Sequence, residues 1–237
     1  MSNILVTGGL GFIGSNFISK IIDKENLVVN IDSETYASID KSFLNFESNQ
    51  NYIHYNVDIS DYQKVNEIIK KYSFDRIFHF AAESHVDNSI ESSFEFCNTN
   101  VIGTLNLLES YKKLDKKHKL FIHVSTDEVF GSIKEGFFDE NSNYKPNSPY
   151  SASKASSDHF VRAYFETHNL PAIITNCSNN FGPYQNKEKF IPTIISSLIN
   201  KKNIPVYGDG KNIREWIHVE DHVDGLIHLS KNGKVGE

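Results

Sequence analysis

The sequence is poor in cysteine: Cys97 and Cys177 are the only two in 237 residues. They are too few for a disulfide framework and match no metal-site spacing, so a reducing compartment is expected. No apolar run approaches the roughly 20 residues needed to cross a bilayer. The first residues lead straight into a strand pattern without the architecture of a signal peptide, which makes the cytoplasm the expected location. Positive charge is also scarce. The net charge is −6 and no basic stripe offsets it, which argues against a nucleic-acid surface. An anionic small ligand stays compatible with that balance if a few cations are placed locally. Internal repeats, low-complexity tracts and long linkers are lacking too. What remains is an ordinary globular composition, 39% hydrophobic and 23% charged, long enough for one large domain or one domain plus a lobe.

The most informative segment is Thr7-Gly8-Gly9-Leu10-Gly11-Phe12-Ile13-Gly14. It follows the apolar run Ile4-Leu5-Val6 and precedes Phe17, Ile18, Ile21 and Ile22, which are spaced as a helix stripe. Strand, glycine turn and helix in that order cradle a dinucleotide pyrophosphate: Gly8, Gly11 and Gly14 let the backbone approach, and the helix N-terminus offers free N–H donors. Asp32 ends the next apolar run, eighteen residues past Gly14. A carboxylate there accepts from ribose hydroxyls and repels a 2′-phosphate, so the expected cofactor is NAD rather than NADP.

Strand patterns at Ile4–Thr7, Leu27–Ile31, Tyr52–Val57, Arg76–Phe80, Leu120–Ser125 and Ala172–Asn176 alternate with helix patterns at Ser15–Ile22, Tyr62–Tyr72, Thr99–Tyr111 and Tyr150–His168. The alternation predicts an α/β fold, a doubly wound parallel sheet with ligands beyond the carboxyl ends of its strands. After Cys177 the rhythm breaks into turn chemistry (Asn179 to Tyr184), a helix over Phe190–Asn200 and the loop Pro205-Val206-Tyr207-Gly208-Asp209-Gly210. Residues 1–176 are therefore expected to form the dinucleotide-binding domain, and 177–237 the start of a smaller substrate lobe. The final Lys234-Val235-Gly236-Glu237 carries no closing element, so that lobe is expected to be C-terminally truncated.

Tyr150 and Lys154 lie four residues apart at the start of a helix, so they share one face; Ser148 as N-cap and Pro149 at the first position start that helix well. A phenol titrates near 10, but a neighbouring ammonium favours the phenolate, which then removes a proton from a secondary alcohol. Ser125-Thr126-Asp127-Glu128 ends the fifth strand at the ligand edge. Its acids read either as dipole-complementing residues of a helix N-terminus or as a working pair, one neutral acid and one base, since neighbouring carboxyls push their pKa values apart. His218 and His222 have the spacing of a helical metal pair, but no third ligand is evident and no metal is expected.

These stretches, with Ala81-Ala82-Glu83-Ser84-His85-Val86-Asp87, Tyr150-Ser151-Ala152-Ser153-Lys154 and Asn176-Cys177-Ser178-Asn179-Asn180, resemble the dTDP-glucose 4,6-dehydratase family among the extended short-chain dehydrogenases, from end to end. Thr126-Asp127-Glu128 is the most specific element. The resemblance implies a Rossmann domain, NAD lined by Phe12, Ile13, Asp32, Asp58, Ile59, Ala81, Ala82, Thr99 and Asn180, and a nucleotide sugar held by Ser84, Thr126, Asn179, Lys189, Phe190, Pro205, Val206, Tyr207 and Arg214. It further implies Tyr150 as base with Lys154 beside it, Thr126 orienting the sugar 4-hydroxyl, Glu128 taking the C5 proton and Asp127 protonating the departing 6-hydroxyl of dTDP- or UDP-glucose. A homodimer through the helices around 99–111 and 150–168 is implied as well. Asn88, Phe181 and Asn186-Lys187 depart from the family pattern near the nucleotide end, which bears on the choice between dTDP and UDP. Two alternatives stand beside this reading: an NAD-dependent nucleotide-sugar 4-epimerase, and a non-catalytic NAD-sensing protein.

Overall fold

A computed structural model of the chain describes residues 2–23, 25–114, 119–206 and 208–237, so Tyr207 lies outside the described residues. Six parallel strands form one sheet: β1 (Ser2–Thr7), β2 (Asn26–Asp32), β3 (Tyr52–Asn56), β4 (Arg76–His79), β5 (Leu120–Thr126) and β6 (Ala172–Cys177). Their spatial order is β3-β2-β1-β4-β5-β6. The order reverses between β1 and β4, and a crevice opens at that switch point beyond the strand ends. Registers Thr7↔Ile31 and Thr7↔His79 bring the ends of β1, β2 and β4 level there.

Alternate residues of these strands face opposite layers. On one face Leu5, Val29, Ile31, Ile77 and Phe121 pack against α2 (Tyr62–Tyr72) through Val65, Ile68 and Ile69, and against α5 (Thr104–Tyr111) and α6 (Pro149–His168) through Leu107, Leu108 and Val161. On the other face Ile4, Val6, Val28, Phe78 and Ile122 pack against Phe17 and Ile18 of α1 (Phe12–Ile21). The helices α3 (Val86–Glu91) and α4 (Ser93–Phe96) lead through a π-helical turn, Cys97–Gly103, into α5.

Past Cys177 the chain forms a two-stranded parallel sheet from β7 (Asn179–Phe181) and β8 (Trp216–His218), with α7 (Phe190–Ile199) between them. No residue of α7 is buried. The chain then returns to the first layer. Helix α8 (Val219–Asn232) sets Val219, Val223 and Leu226 into the cluster around α1, and Asp224 pairs with Lys20 at 2.6 Å. Within the 177–237 segment, α8 thus packs its apolar stripe against α1 and the six-stranded sheet while also touching β7 and β8. The last residues run along the free edge of β6, with Gly236 N–H donating to the Ala172 carbonyl and Ile174 N–H to that of Glu237. Among the described residues no helix is long and apolar enough to cross a membrane, and both cysteines are free.

Candidate active site

The glycine turn makes its tightest contacts with backbone at two positions. Gly8 has φ +73°, and a Cβ there would sit 2.7 Å from the Ala81 nitrogen; a Cβ on Gly14 would sit 2.2 Å from the Gly8 carbonyl oxygen. The first glycine permits the left-handed turn beside β4, and the second lets α1 lie against the turn, so the N-terminal amides of α1 face the crevice. Asp32 is 8% exposed and ties the turn down. Its carboxylate accepts from Leu10 N–H at 2.9 Å, Glu34 N–H at 2.9 Å and the Ser38 hydroxyl at 3.2 Å. A carboxylate offers about four acceptor sites, so one is left for a ligand hydroxyl.

Beside the turn a cleft of about 250 Å³ is lined by Gly8, Gly11, Asp32, Asp58, Ile59, Ala81, Ala82 and Thr99, all expected from sequence, and also by Ser33, Thr35, Ser38 and Glu83. Phe12, Ile13 and Gly14 follow in α1, with Phe12 and Ile13 packed toward the core. Asn180 lies on β7, where its side-chain oxygen meets His222 Nδ1 at 2.9 Å and its amide donates to the Ser178 carbonyl. The paired histidines are therefore apart in role: His222 is spent on Asn180, and His218 caps α8.

At the end of β5, Thr126 takes part in three contacts. Its hydroxyl donates to Asp127 Oδ1 at 3.2 Å, accepts from Glu128 N–H at 3.2 Å, and lies near enough to the Tyr150 phenol to lower its pKa. Asp127 and Glu128 open a short 3₁₀ turn and are half-buried. Burial raises both carboxyls above their ordinary range; Asp127 raises Glu128 further, whereas Arg214 pulls both down and Lys189 pulls Glu128 down. The two cations expected for a diphosphate thus act on the acid pair. Tyr150 is brought to the same place by a capping box, in which Ser151 N–H donates to Ser148 Oγ at 3.1 Å and Ser148 N–H to Ser151 Oγ at 3.0 Å. Its phenol is pushed well up, by burial first, then by the charge of Glu128. Lys154 is 4% exposed and donates to the Val124 carbonyl at 2.8 Å.

The remaining positions are spread wider. Lys189 precedes α7 as its N-cap, Phe190 stacks on Trp216 at 6.0 Å, and Asn179 donates to the Glu215 carbonyl. Ser84, Pro205 and Val206 are exposed. Of the departures from pattern, Asn88 donates to the Tyr36 hydroxyl at 3.3 Å and Phe181 packs edge-on to His218. Sequence reasoning missed Asn100, buried in the π-turn. Its side chain receives Glu83 N–H, donates to the Glu83 carbonyl and to Ser153 Oγ, and so bolts the cleft wall to α6. Three successive polar residues, Asn98-Thr99-Asn100, in an otherwise amphipathic stretch were the available signal.

A family model described as GDP-mannose 4,6 dehydratase matches residues 5–237. The dTDP-glucose 4,6-dehydratase of Haemophilus influenzae is 49% identical, covering 100% of this chain and 73% of its own. The chain belongs to the dTDP-glucose 4,6-dehydratase family. Among solved structures, the Streptomyces venezuelae dTDP-glucose 4,6-dehydratase with NAD bound is similar at a TM-score of 0.93 and 42% identity, covering 99% of this chain and 74% of that one. A UDP-N-acetylglucosamine 4-epimerase from Methanobrevibacter ruminantium is similar at a TM-score of 0.90 and 29% identity, covering 99% and 74%. The fold is thus common to dehydratases and epimerases, so it does not by itself separate the two activities.

Proposed function

We propose that this chain is an NAD-dependent hydro-lyase, a nucleotide-glucose 4,6-dehydratase that converts dTDP-glucose to its 4-keto-6-deoxy derivative, with UDP-glucose as the second substrate to compare. The observation that carries the reading is the half-buried Asp127–Glu128 pair, bonded to Thr126 and close enough to Tyr150 for both acids to act on its phenol. The glycine cradle, the neighbouring cleft and the spare acceptor site on Asp32 fit a dinucleotide. Bound NAD would supply reversible hydride exchange with the sugar.

Tyr150 takes the proton of the 4-hydroxyl, which Thr126 orients. Because burial lifts the phenol's pKa, the step needs nearby positive charge to favour the phenolate, and Lys154 is the side chain placed one turn away to supply it. With C4 a ketone, the C5 proton becomes acidic enough for a carboxylate. Glu128 then removes it while Asp127, kept protonated to higher pH by its burial, delivers a proton to the departing 6-hydroxyl. Lys189 and Arg214 supply the cationic charge that a diphosphate requires. The exposed Ile102 and Phe160 support a homodimer through the helices around 99–111 and 150–168. Incubation with dTDP- or UDP-glucose and product mass spectrometry tests the reading. Loss of one water supports it, whereas a product of unchanged mass is the epimerase outcome and refutes it.

A further inference from the structure

Behind the Tyr150–Lys154 face lies a polar cluster that the reaction leaves unused. Asp158 is one helical turn past Lys154, on the same side of α6, and is 1% exposed. Its Oδ2 accepts from Ser125 Oγ at 2.8 Å, from the Tyr144 hydroxyl at 3.0 Å and, at the 3.5 Å limit, from Asn176 Nδ2. His123 Nε2 lies 3.1 Å from Oδ1. His123 and Ser125 share one face of β5, and the Val124 carbonyl between them holds the Lys154 ammonium. The next residues along the chain are Thr126, which ends β5, and Asp127 and Glu128 of the 3₁₀ turn. Three consecutive positions therefore grip the anion and the cation of α6, immediately before the strand delivers its reacting groups.

We infer that Asp158 is the buried counter-ion of Lys154, a positioning residue that keeps the lysine in its ammonium form and fixes α6 in register with β5. The inference rests on the proposed role of Lys154 beside Tyr150. The surroundings contain one cation and one anion. His123 from β5 is held down to about 4 by burial and by Lys154, His79 from β4 is lowered by burial, and the Cys177 thiol from β6 is pushed up to about 11, so all three are uncharged at neutral pH. Burial lowers Lys154, and Asp158 is the leading group opposing that loss. Asp158 is itself lowered, the contacts from His123 and Ser125 and the charge of Lys154 outweighing burial. A neutral amine at position 154 would lend no support to the phenolate.

The test uses Asp158→Asn, which keeps the shape and removes the charge, beside Ser125→Ala, which removes one hydrogen bond and keeps the charge. The alkaline limb of kcat moves down by about one pH unit or more in Asp158→Asn. In Ser125→Ala it stays in place while the melting temperature falls. An unmoved limb in Asp158→Asn overturns the inference and leaves a packing role alone. If wild type proves inactive, the functional reading fails by itself, and a thermal-unfolding cycle with Lys154→Met decides the inference. A Lys154→Met/Asp158→Asn double variant that loses less than the two single variants summed supports the pair, because neither charge is left stranded. Additive losses overturn it. If Asp158→Asn alone does not fold, recovery of folding in the double variant supports the pair and failure to recover overturns it.

Discussion

Gly14→Ala tests the cradle where the structure gives a number. An added Cβ falls 2.2 Å from the Gly8 carbonyl oxygen and 2.9 Å from Gly8 C and Gly9 Cα. Ordinary contact begins near 3.4 Å, so the overlap is about 1.2 Å and every clashing atom is backbone. Overpacking of this kind costs roughly 1–3 kcal/mol, with the upper end expected because no side chain can swing away. Against that, alanine gains about 1 kcal/mol over glycine in a helix. The net loss is about 2 kcal/mol, or roughly 4–8 °C of melting temperature for a domain of this size. Relief requires α1 to move off the turn, so NAD affinity should drop at least about tenfold. Gly225→Ala is the control: it is exposed within α8 and its Cβ would meet nothing within 4 Å, so it should gain about 0.5–1 kcal/mol. Differential scanning fluorimetry and calorimetric titration with NAD read both. A Gly14→Ala protein as stable as wild type with unchanged NAD affinity would refute the close-approach reasoning.

Tyr150→Phe should lower turnover by roughly 10²–10⁴-fold with NAD binding retained, measured by steady-state kinetics and titration. Glu128→Gln should stop the reaction after C4 oxidation, so reduced nicotinamide accumulates in the absorbance trace and no water is lost from the sugar. Because Glu128 works as a base with its pKa raised above 4.5, activity should be lost as pH falls through that raised value; Arg214→Gln removes a charge that lowers it and should move the acid limb of kcat to higher pH. His222 has the opposite sign: burial holds it down to about 4 against an ordinary 6.5, so the folded state loses stability as pH drops from 6.5 toward 4. His222→Gln should make the denaturation profile shallower across that window.

The parallel sheet was legible because its strands are bounded apolar runs; the expected Tyr62–Tyr72 helix matches α2 in full, and the others agree to within a few residues apart from the helix expected from Thr99. That stretch was harder. Helical structure begins at Val86, but Ser92 and Ser93 break the apolar spacing and the π-turn shifts its phase. Helix α8 escaped because Glu220, Asp221 and Asp224 mask an apolar stripe that shows only once α1 is placed against it. The Thr126-Asp127-Glu128 triplet and the Tyr150–Lys154 pair could be placed from spacing, since both lie at element ends, while their expected roles came from the family resemblance. Asp158 could not. On a helix of mixed polarity an acid reads as a solvated face, and its burial becomes visible only when β5 presents His123 and Ser125 to it.

Loss of water across C5–C6 with transfer of the C4 hydrogen to C6 is the decisive prediction. With dTDP-glucose deuterated at C4, mass and NMR spectra should show a product one water lighter, carrying the deuterium at C6 with no net consumption of NAD. A product of unchanged mass, or one whose deuterium has passed to solvent, would contradict a site in which Tyr150, Thr126, Asp127 and Glu128 act on a single sugar.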